Sequence, residues 1–296
     1  MRVTIFGATG LLGKALIREW KQDEVVGFGS KDVDIRESGH VRRAVEETRP
    51  EWIVNAAAYT DVDGCESNRE LAFAVNCRGA VNVAQAAKAC GSRLLFPSTD
   101  YVFDGLSTTP YETSHPHAPR SVYGKSKAQA EEEIGEVLPN ACIVRTSWLF
   151  GVGGKCFPDT ILKLASSRSE IDVVDDQRGS PTYAPDLARA IILLCRGDAT
   201  GIVHVTNRGE CSWFEFAGEI MKGAGLKTVI KPTTSENFAR PAERPKYSVL
   251  SPTSLRQYGI VMPHWKDALR NYLSARQAAA SFGSKRDNSL QAKVRR

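Results

Sequence analysis

Short apolar runs alternate with longer amphipathic stretches along the first half of the chain. The apolar runs have the length of strands and read "RVTIF", "EVVGF", "EWIVNAAA", "RLLFPST" and "ACIVRTSWLF". The stretches between them have the length of helices, as in "LLGKALIREWK", "GHVRRAVEETR" and "SKAQAEEEIGEVL". This alternation predicts β-α-β units, and hence a doubly wound parallel sheet with helices on both faces. In this α/β fold class, ligands bind at the carboxyl ends of the strands.

A glycine-rich turn joins the first predicted strand to the first predicted helix. It reads "GATGLLG", and its glycines are Gly7, Gly10 and Gly13. Glycine lets the phosphates of a ligand approach the backbone N–H groups at a helix start, where the helix dipole favours an anion. A glycine triplet also fits a tight turn without a ligand, but the strand-to-helix context favours a dinucleotide site of the Rossmann type. Further contacts to this cofactor are expected from Thr9, Leu11 and Leu12.

The end of the second predicted strand indicates which nicotinamide cofactor is preferred. An acidic residue there would bind the ribose 2′-hydroxyl and repel a 2′-phosphate. The sequence offers Ser30 and Lys31 instead, a hydroxyl and a cation that suit a 2′-phosphate. We therefore expect NADPH as the cofactor. NADH stays an alternative, because Asp32 and Asp34 follow closely.

A tyrosine and a lysine four positions apart begin the predicted helix "SVYGKSKAQAEEE". Tyr123 and Lys127 therefore project from the same face of that helix. A nearby ammonium lowers the pKa of a phenol, which makes the pair a proton donor for a carbonyl that is being reduced. A hydroxyl at the end of the preceding strand, in "FPSTDYVFDG", can hydrogen-bond the same substrate oxygen. Thr99 is the candidate for this hydroxyl, with Ser98 as the alternative.

The regular alternation of predicted strands and helices ends after residue 150, which indicates two domains. We predict an NAD(P)-binding Rossmann-type domain over 1–150 and a smaller, discontinuous C-terminal lobe for the substrate, mainly over 151–275. The segment 180–207 ends in the strand-like "GIVHVTN" and is expected to return to the main sheet. The basic end of the chain, 276–296, is expected to be a disordered tail.

Composition narrows the class of protein. The net charge is +5 over 296 residues, and much of the excess lies in the end segment "SKRDNSLQAKVRR", so nucleic-acid binding is not indicated. The seven cysteines are scattered and form no C-x-x-C pair, which is typical of reduced thiols. The sequence has neither an apolar run of membrane-spanning length nor a signal peptide. We expect a cytoplasmic protein without a membrane partner.

Several motifs occur in an order typical of one enzyme family. They are "GATGLLG", "NAAAYTDVDGCE", "STDYVFDG", "YGKSKAQAE", "RTSWLFG", "DQRGSPTYAPDLA" and "ARPAERPKYSVL". With them the chain resembles the dTDP-4-dehydrorhamnose reductases over about residues 1–275. The resemblance implies an extended short-chain dehydrogenase/reductase that reduces the C4 ketone of dTDP-6-deoxy-L-lyxo-4-hexulose with NADPH or NADH. The product would be dTDP-L-rhamnose, a sugar nucleotide for cell-wall polysaccharide.

The resemblance also implies roles for individual residues. The catalytic trio would be Thr99, Tyr123 and Lys127, and the lysine would also bind the nicotinamide ribose. The cofactor would contact Asp34 and Ile35 at its adenine and, along its length, Ala56, Ala57 and Ala58. The dTDP-sugar would contact Val62, Asp100, Trp148, Arg240 and Arg244. A core position is the alternative for the tryptophan, and a solvated surface is the alternative for the two arginines.

A metal is not indicated by the sequence. Some members of the family bind magnesium at a dimer interface through a glutamate just after the glycine turn, and Ala15 stands there in this chain. We assign no metal ligand, treat magnesium as a doubtful cofactor, and keep a homodimer as a candidate assembly. His115 and His117 in "SHPHAP" have no carboxylate partner in the sequence pattern, so we interpret them as polar loop residues.

Two other functions stay open. The motifs "STDYVFDG" and "YGKSK" also resemble the regulatory subunit of methionine adenosyltransferase, which would bind NADP without catalysing turnover. Another sugar-nucleotide reductase or epimerase is the second alternative. A dehydratase is disfavoured, because such enzymes usually carry Asp-Glu after the threonine, and this chain has Asp100 and Tyr101.

Overall fold

The computed structural model describes the backbone of residues 1–294 and the side chains of residues 1–279. The first half of the chain contains β1 (Arg2–Phe6), α1 (Leu11–Glu19), β2 (Glu24–Phe28), α2 (Ser38–Thr48), β3 (Trp52–Asn55), α3 (Val62–Ser67), α4 (Arg69–Phe73), a π-helical turn (Ala74–Gly79), α5 (Ala80–Cys90), β4 (Arg93–Thr99), a 3-10 turn (Asp100–Val102), α6 (Val122–Val137) and β5 (Cys142–Thr146). The second half contains β6 (Leu149–Phe150), α7 (Phe157–Ala165), β7 (Glu170–Val174), β8 (Arg178–Gly179), β9 (Thr182–Tyr183), α8 (Ala184–Arg196), β10 (Gly201–His204), β11 (Cys211–Ser212), α9 (Trp213–Ala224), β12 (Val229–Thr233), α10 (Thr253–Arg256) and α11 (Trp265–Val294).

The main sheet is parallel throughout and has the strand order β2-β1-β3-β4-β5-β10. The chain leaves β1 towards β2 at one edge and then returns to β3 on the other side of β1. In doubly wound sheets, such a reversal opens a ligand crevice at the carboxyl ends of the two central strands. This is the predicted α/β fold of the Rossmann type, and its crevice lies where the glycine turn follows β1.

Two apolar layers cover the main sheet, one on each face. The layer on one face is built by α1 and α8 and includes Leu16 and Leu187. The layer on the opposite face is built by α2, α5 and α6 and includes Val41, Val83 and Ile134. The inner strands β1, β3, β4 and β5 are largely buried between these layers, which is why they read as continuous apolar runs, whereas the edge strand β2 is exposed or half-buried along its length.

The fifth apolar run of the sequence is not one strand. Strand β5 ends at Thr146, and Trp148 has a left-handed backbone with φ 47°. This turn directs Leu149 and Phe150 out of the main sheet, so that β6 pairs with β9 instead. The chain enters a smaller lobe at this point, with a core of its own around Phe216 and Tyr272.

The predicted domain limits at residues 150 and 275 can be compared with the elements that lie on either side of them. Strand β10 pairs with β5 at the edge of the main sheet, and α8 packs in the same layer as α1. Helix α11 passes through residue 276 without a break in its backbone, and most of the predicted tail, 276–296, lies outside the residues whose side chains are described. The division into domains therefore stays a prediction. None of the helices in the described part of the chain combines the length and apolar character that a membrane crossing needs.

Candidate active site

Two of the three glycines in the first turn are required by the fold itself. Gly7 has φ 78°, and a Cβ on it would lie 2.5 Å from the backbone nitrogen of Ala57. A Cβ on Gly13 would lie 2.2 Å from the carbonyl oxygen of Gly7. Strand β1, helix α1 and the segment after β3 can therefore approach each other closely only with glycine at these positions.

Gly10 is less confined than these two glycines, although it is not in open space. The nearest atom to a Cβ there would be the carbonyl oxygen of Gly7, at 3.2 Å. Gly10 caps helix α1 without a side-chain hydrogen bond, and the first turn of the helix contains no acidic residue. The free N–H groups of this turn and the helix dipole thus face a region that can accept an anion.

A cleft with a volume of about 380 Å³ runs from this helix start past the ends of β3, β4 and β5. The predicted site residues that line it are Gly10, Leu11, Leu12, Ala56, Ala58, Val62, Thr99, Asp100, Tyr123, Lys127 and Trp148. The predicted residues outside its lining are Gly7, Thr9, Gly13, Ser30, Lys31, Asp34, Ile35, Ala57, Arg240 and Arg244. The structure thus brings the candidate catalytic residues together with the glycine turn.

Thr99 and Asp100 end strand β4 in the floor of the cleft. The Thr99 hydroxyl donates a hydrogen bond of 3.0 Å to the carboxylate of Asp100, and the backbone N–H of Tyr101 donates to Thr99 at 3.2 Å. Burial raises the pKa of Asp100 to about 6, against the effect of its hydrogen bonds. A carboxyl group beside the predicted reaction centre therefore titrates close to neutral pH.

Tyr123 lies in the first turn of α6, directly against the end of β4. Helix α6 can start there because a Cβ on Gly124 would lie 2.2 Å from the carbonyl oxygen of Tyr101. Burial raises the pKa of the Tyr123 phenol, the charge of Asp100 raises it further, and a hydrogen bond with Thr99 acts in the opposite direction. The phenol is therefore protonated at neutral pH and can serve as a proton donor.

Lys127 lies one helical turn beyond Tyr123 and is almost fully buried. Its ammonium donates a hydrogen bond of 2.7 Å to the carbonyl oxygen of Pro97 and lies 3.8 Å from the centre of the Phe96 ring. Burial lowers the pKa of Lys127 to about 7. The pKa of the Tyr123 phenol therefore lies above its ordinary value, because burial outweighs the lowering by Lys127 that the sequence led us to expect.

Polar groups that sequence reasoning missed also line the cleft. The amide nitrogen of Asn55 and the hydroxyl of Thr146 are buried there without a hydrogen-bond partner. Such groups are costly to bury unpaired, so they mark positions where a ligand can hydrogen-bond. The cation of Lys155 lies at the cleft as well. Its only sequence signal is the surrounding glycine-rich loop "GVGGKC", whose Gly153 accepts a hydrogen bond from Lys14 at 2.7 Å.

Trp148 forms the side of the cleft that belongs to the smaller lobe. Its ring stacks face to face on Trp213, with centroids 3.4 Å apart and an angle of 4° between the planes. A Cβ on Gly179 would lie 2.4 Å from this indole, so the ring is held tightly. Two roles were expected for Trp148, a core position or a contact to the sugar. Its ring packs in the smaller lobe and also lines the cleft, so both roles are compatible with its place in the structure.

The arginines of the Pro-rich loop are neither in the cleft nor on a fully solvated surface. Arg244 makes a two-bond contact with the carboxylate of Asp63, and Arg240 approaches the same carboxylate at 3.5 Å. Asp63 lies in the first turn of α3, next to Val62 of the cleft. The two arginines thus attach the C-terminal loop to the rim of the cleft.

The loop after β2 holds the residues that were expected around the ribose and the adenine. Ser30 and Lys31 are exposed there, whereas the carboxylate of Asp32 accepts a hydrogen bond of 2.8 Å from the backbone of Gly29. Asp34 is paired with Arg36, which lowers the pKa of its carboxyl group. Ile35 is buried against the π-helical turn. A hydroxyl and a cation are therefore accessible at the strand end, beside the equally exposed side chain of Asp32.

His117 is a polar residue of the loop before α6, as interpreted, but it has carboxylate partners that the sequence pattern did not show. Its ring nitrogens lie 3.0 Å from Glu131 and 3.1 Å from Glu132. The sequence pattern hid these partners because they lie on α6 and meet the loop only in the folded chain. Within the described residues, no three His, Cys, Asp or Glu side chains come together as a metal-binding group.

Comparison with known proteins identifies close relatives of this architecture. The family model described as RmlD substrate binding domain matches residues 1–278. A dTDP-4-dehydrorhamnose reductase of Streptomyces griseus is 42% identical over 90% of this chain and 91% of its own length. A probable dTDP-4,6-dihydroxy-2-methyloxan-3-one 4-ketoreductase of Streptomyces antibioticus is 39% identical over 91% of this chain and 94% of its own length.

A solved structure agrees with the fold over nearly its whole length. It is the crystal structure of dTDP-4-dehydrorhamnose reductase from Bacillus anthracis in complex with NADP. The TM-score is 0.91 at 42% sequence identity, and the match covers 93% of this chain and 99% of that chain. The likeness extends over both the main sheet and the smaller lobe.

Proposed function

The chain belongs to the dTDP-4-dehydrorhamnose reductase family, and from this premise we propose that it reduces the C4 ketone of dTDP-6-deoxy-L-lyxo-4-hexulose to dTDP-L-rhamnose. The observation that carries the proposal is the meeting of Thr99, Tyr123 and Lys127 with the glycine turn in one cleft. A non-catalytic nucleotide-binding protein would need the turn but not a buried phenol and a buried ammonium beside it.

The residues of the cleft fit a nicotinamide dinucleotide. The N-terminal turn of α1 offers its free N–H groups to the pyrophosphate, and Ala56 and Ala58 leave room for a flat ligand along β3. Asn55 and Thr146 have unpaired polar atoms facing the same space. When bound, the reduced cofactor supplies a hydride. We favour NADPH over NADH because Ser30 and Lys31 suit a 2′-phosphate, and because the Bacillus anthracis relative was solved with NADP.

The side chains then divide the chemistry between them. As hydride reaches C4, the ketone oxygen gains negative charge, and Tyr123 donates its phenolic proton to that oxygen. Thr99, at the end of β4, turns its hydroxyl from the Asp100 carboxylate to the same oxygen, donates a hydrogen bond to it and stabilises the developing charge. Lys127 in its charged form stabilises the phenolate left on Tyr123 and holds the ribose of the cofactor. Tyr123 regains a proton from water before the next turnover.

The sugar nucleotide is held between the main sheet and the smaller lobe. Trp148, whose ring is packed on Trp213, contacts the sugar, and Val62 and Asp100 line the same space. Lys155 provides a cation near the helix start for a phosphate group. Arg244 and Arg240 act on the substrate through Asp63 and the position of their loop rather than by direct contact. A homodimer and a cytoplasmic location stay predictions.

A second candidate is reduction of a different dTDP-4-keto sugar. The Streptomyces antibioticus 4-ketoreductase supports it, since its name gives another 4-keto substrate at 39% identity, similar to the 42% of the rhamnose-forming relative. The chemistry at Tyr123 would be the same, and only the sugar contacts of the smaller lobe would differ.

The test is oxidation of NADPH and NADH with enzymatically prepared dTDP-6-deoxy-L-lyxo-4-hexulose. We expect turnover with a preference for NADPH, and formation of dTDP-L-rhamnose. Tyr123→Phe should lose about 10²- to 10⁴-fold in turnover while keeping cofactor affinity. Cofactor binding without turnover on any dTDP-4-keto sugar would support the regulatory-subunit alternative, and turnover only on another sugar would support the second candidate.

A further inference from the structure

A buried cluster of charged side chains lies beside Lys127 and has no direct part in the proposed reaction. It consists of Glu131, Arg145 and His117. The side chains of Glu131 and Arg145 are 2% and 1% exposed, whereas that of His117 is 18% exposed on the loop before α6. Removing charges from water is costly. Their presence next to the reaction centre therefore needs a physical reason.

Glu131 is on the same face of α6 as Lys127, one helical turn further on. It does not pair with the lysine, whose ammonium bonds to the carbonyl oxygen of Pro97 instead. Among the described groups, Glu131 is the one whose charge acts on Lys127, and it favours the ammonium form against burial. The carboxylate thus supports the lysine from one helical turn away through the protein interior, where charges interact strongly.

Arg145 holds this carboxylate in place from strand β5. Its guanidinium makes three hydrogen bonds to Glu131, of 3.1, 3.0 and 2.6 Å, and it also donates to the carbonyl oxygen of Thr113. These contacts help to lower the pKa of Glu131 to about 2, although burial alone would raise it. Glu131 therefore stays an anion throughout the pH range in which the protein would work.

His117 cannot satisfy all of its neighbours in one protonation state. Its Nε2 lies 2.7 Å from Nη2 of Arg145 and 3.0 Å from a carboxylate oxygen of Glu131. A neutral ring can accept from Arg145 through Nε2 while its Nδ1 donates to Glu132 at 3.1 Å. A protonated ring donates to Glu131 through Nε2 and then faces the Arg145 cation. Titration of His117 thus changes the charge that surrounds Glu131.

We propose that Glu131 is a positioning residue that keeps the buried Lys127 ammonium charged, and that His117 links this support to the pH of the solvent. Protonated His117 adds a second positive charge, after that of Arg145, beside Glu131 and so weakens the support, whereas neutral His117 leaves Arg145 as the cation paired with the carboxylate. The functional meaning of the link rests on the proposed role of Lys127 in reduction. The electrostatic link itself is a property of the protein alone.

The other ionisable groups around the two ends of this link are few in the described part of the chain. Lys127 is accompanied by Tyr123 and Glu131 on its own helix, by Asp100 after β4, and by Arg145 on β5. His117 faces Glu131 and Glu132 on α6 and Arg145 on β5. The Glu131 hydrogen bond is the largest influence on His117 and raises its pKa, whereas Arg145 acts in the opposite direction.

The direct test follows the charge of Lys127 by nuclear magnetic resonance, without any sugar substrate. The full-length protein is labelled with lysine carrying ¹³C at Cε, and the Lys127 signal is identified by its absence in Lys127→Arg. Removing the charge pair as Glu131→Gln with Arg145→Met should lower the midpoint of the Lys127 titration by about half a pH unit, because Glu131, on the same helix, raises the pKa of Lys127 and its loss outweighs the loss of the Arg145 cation. His117→Gln should raise the midpoint by about half a unit, because the opposing positive charge is lost.

His115→Gln is the matched control, since His115 lies in the same loop but contacts Glu112 rather than α6. This variant should leave the Lys127 titration unchanged. An unchanged midpoint in both the double variant and His117→Gln would overturn the proposal. If the double variant does not fold, the midpoint of the Lys127 titration in His117→Gln tests the proposal by itself, because this variant keeps the Arg145–Glu131 pair intact. An unchanged midpoint there would then overturn the proposal.

The kinetic readout separates this proposal from the proposed function. In NADPH oxidation, the fall of kcat at alkaline pH should move to lower pH in the double variant and to higher pH in His117→Gln. A wild-type protein without turnover on any dTDP-4-keto sugar would contradict the proposed function and leave the resonance titration as the test of the link. Normal turnover with an unmoved Lys127 titration would contradict the link only.

Discussion

The guanidinium of Arg244 makes two parallel hydrogen bonds, each 2.9 Å long, to the two carboxylate oxygens of Asp63. Asp63 belongs to the first turn of α3 at the rim of the cleft, and Arg244 belongs to the Pro-rich loop that follows β12. Such a planar two-bond contact is specific to arginine. The pair therefore fixes the C-terminal loop against the main α/β part of the molecule.

We predict that Arg244→Lys impairs binding of the sugar nucleotide and not that of NADPH. Lysine keeps the charge but loses one of the two hydrogen bonds, so KM for the sugar should rise about fivefold, as expected for a partly exposed pair. Steady-state kinetics and calorimetric titration with NADPH measure the two effects. Arg240→Lys is the control, because its contact is a single one at 3.5 Å and should change KM little. Equal losses for both ligands would contradict the assignment.

The glycine turn allows a prediction that separates folding from binding. Gly13→Ala should destabilise the protein strongly, because its Cβ would lie 2.2 Å from the carbonyl oxygen of Gly7. Gly10→Ala should lose much less melting temperature than Gly13→Ala, because its Cβ would meet the carbonyl oxygen of Gly7 at 3.2 Å, and its methyl group would narrow the approach of the pyrophosphate to the helix. NADPH affinity should then fall about tenfold or more. Thermal denaturation and calorimetric titration measure the two outcomes, and a stable Gly13→Ala protein would refute the packing argument.

The residues after β2 predict how the cofactor preference can be changed. Replacing Lys31 by Glu would set a carboxylate next to Ser30, where it can accept from a ribose 2′-hydroxyl and repel a 2′-phosphate. The ratio of kcat/KM for NADPH to that for NADH should fall about tenfold or more. Lys21→Glu makes the same charge change at an exposed position before β2 and should leave the ratio unaltered. An unchanged ratio in the Lys31 variant would remove this loop from the 2′-phosphate site.

The sequence predicted what depends on local pattern and missed what depends on tertiary contacts. Strands β1 and β4 coincide with their apolar runs, because buried parallel strands read as continuous apolar segments, and the half-exposed edge strand β2 coincides with its run as well. The break at Trp148 was missed, since its left-handed backbone follows from stacking on Trp213, which is distant in sequence. The partners of His117 were missed for the same reason.

In the candidate site, too, the sequence pattern revealed some residues, and others could be found only from the folded structure. Tyr123 and Lys127 could be found from their spacing on one helix, and Thr99 from its place at a strand end. The unpaired amide of Asn55 and the occupied guanidinium of Arg244 could not, because hydrogen-bond satisfaction is a property of the packed chain. The function follows from residues that a pattern reveals, whereas the electrostatics of the site requires the structure.

The buried ammonium of Lys127 leads to a prediction about stability and pH. Burial lowers the pKa of this group from 10.5 to about 7, so the unfolded chain binds the proton more tightly than the folded protein does. The sign follows directly: the stability of the cofactor-free protein falls as the pH drops from 10.5 towards 7, and this contribution is constant below that. Lys127→Met removes the penalty.

We therefore expect Lys127→Met to lose turnover and yet to melt at a higher temperature than the wild type at pH 6 and 7. The gain should shrink at pH 9. This pH is closer to the pKa of 10.5 that the lysine has in the unfolded chain, so removing its proton on folding costs less free energy. Each kcal/mol corresponds to about 2–4 °C in a protein of this size. Scanning calorimetry from pH 6 to 9 measures the trend, with the exposed Lys125→Met on the same helix as the control. Loss of the Pro97 hydrogen bond offsets part of the gain equally at every pH, so a gain that does not vary with pH would mean that Lys127 is not held as a strained charge.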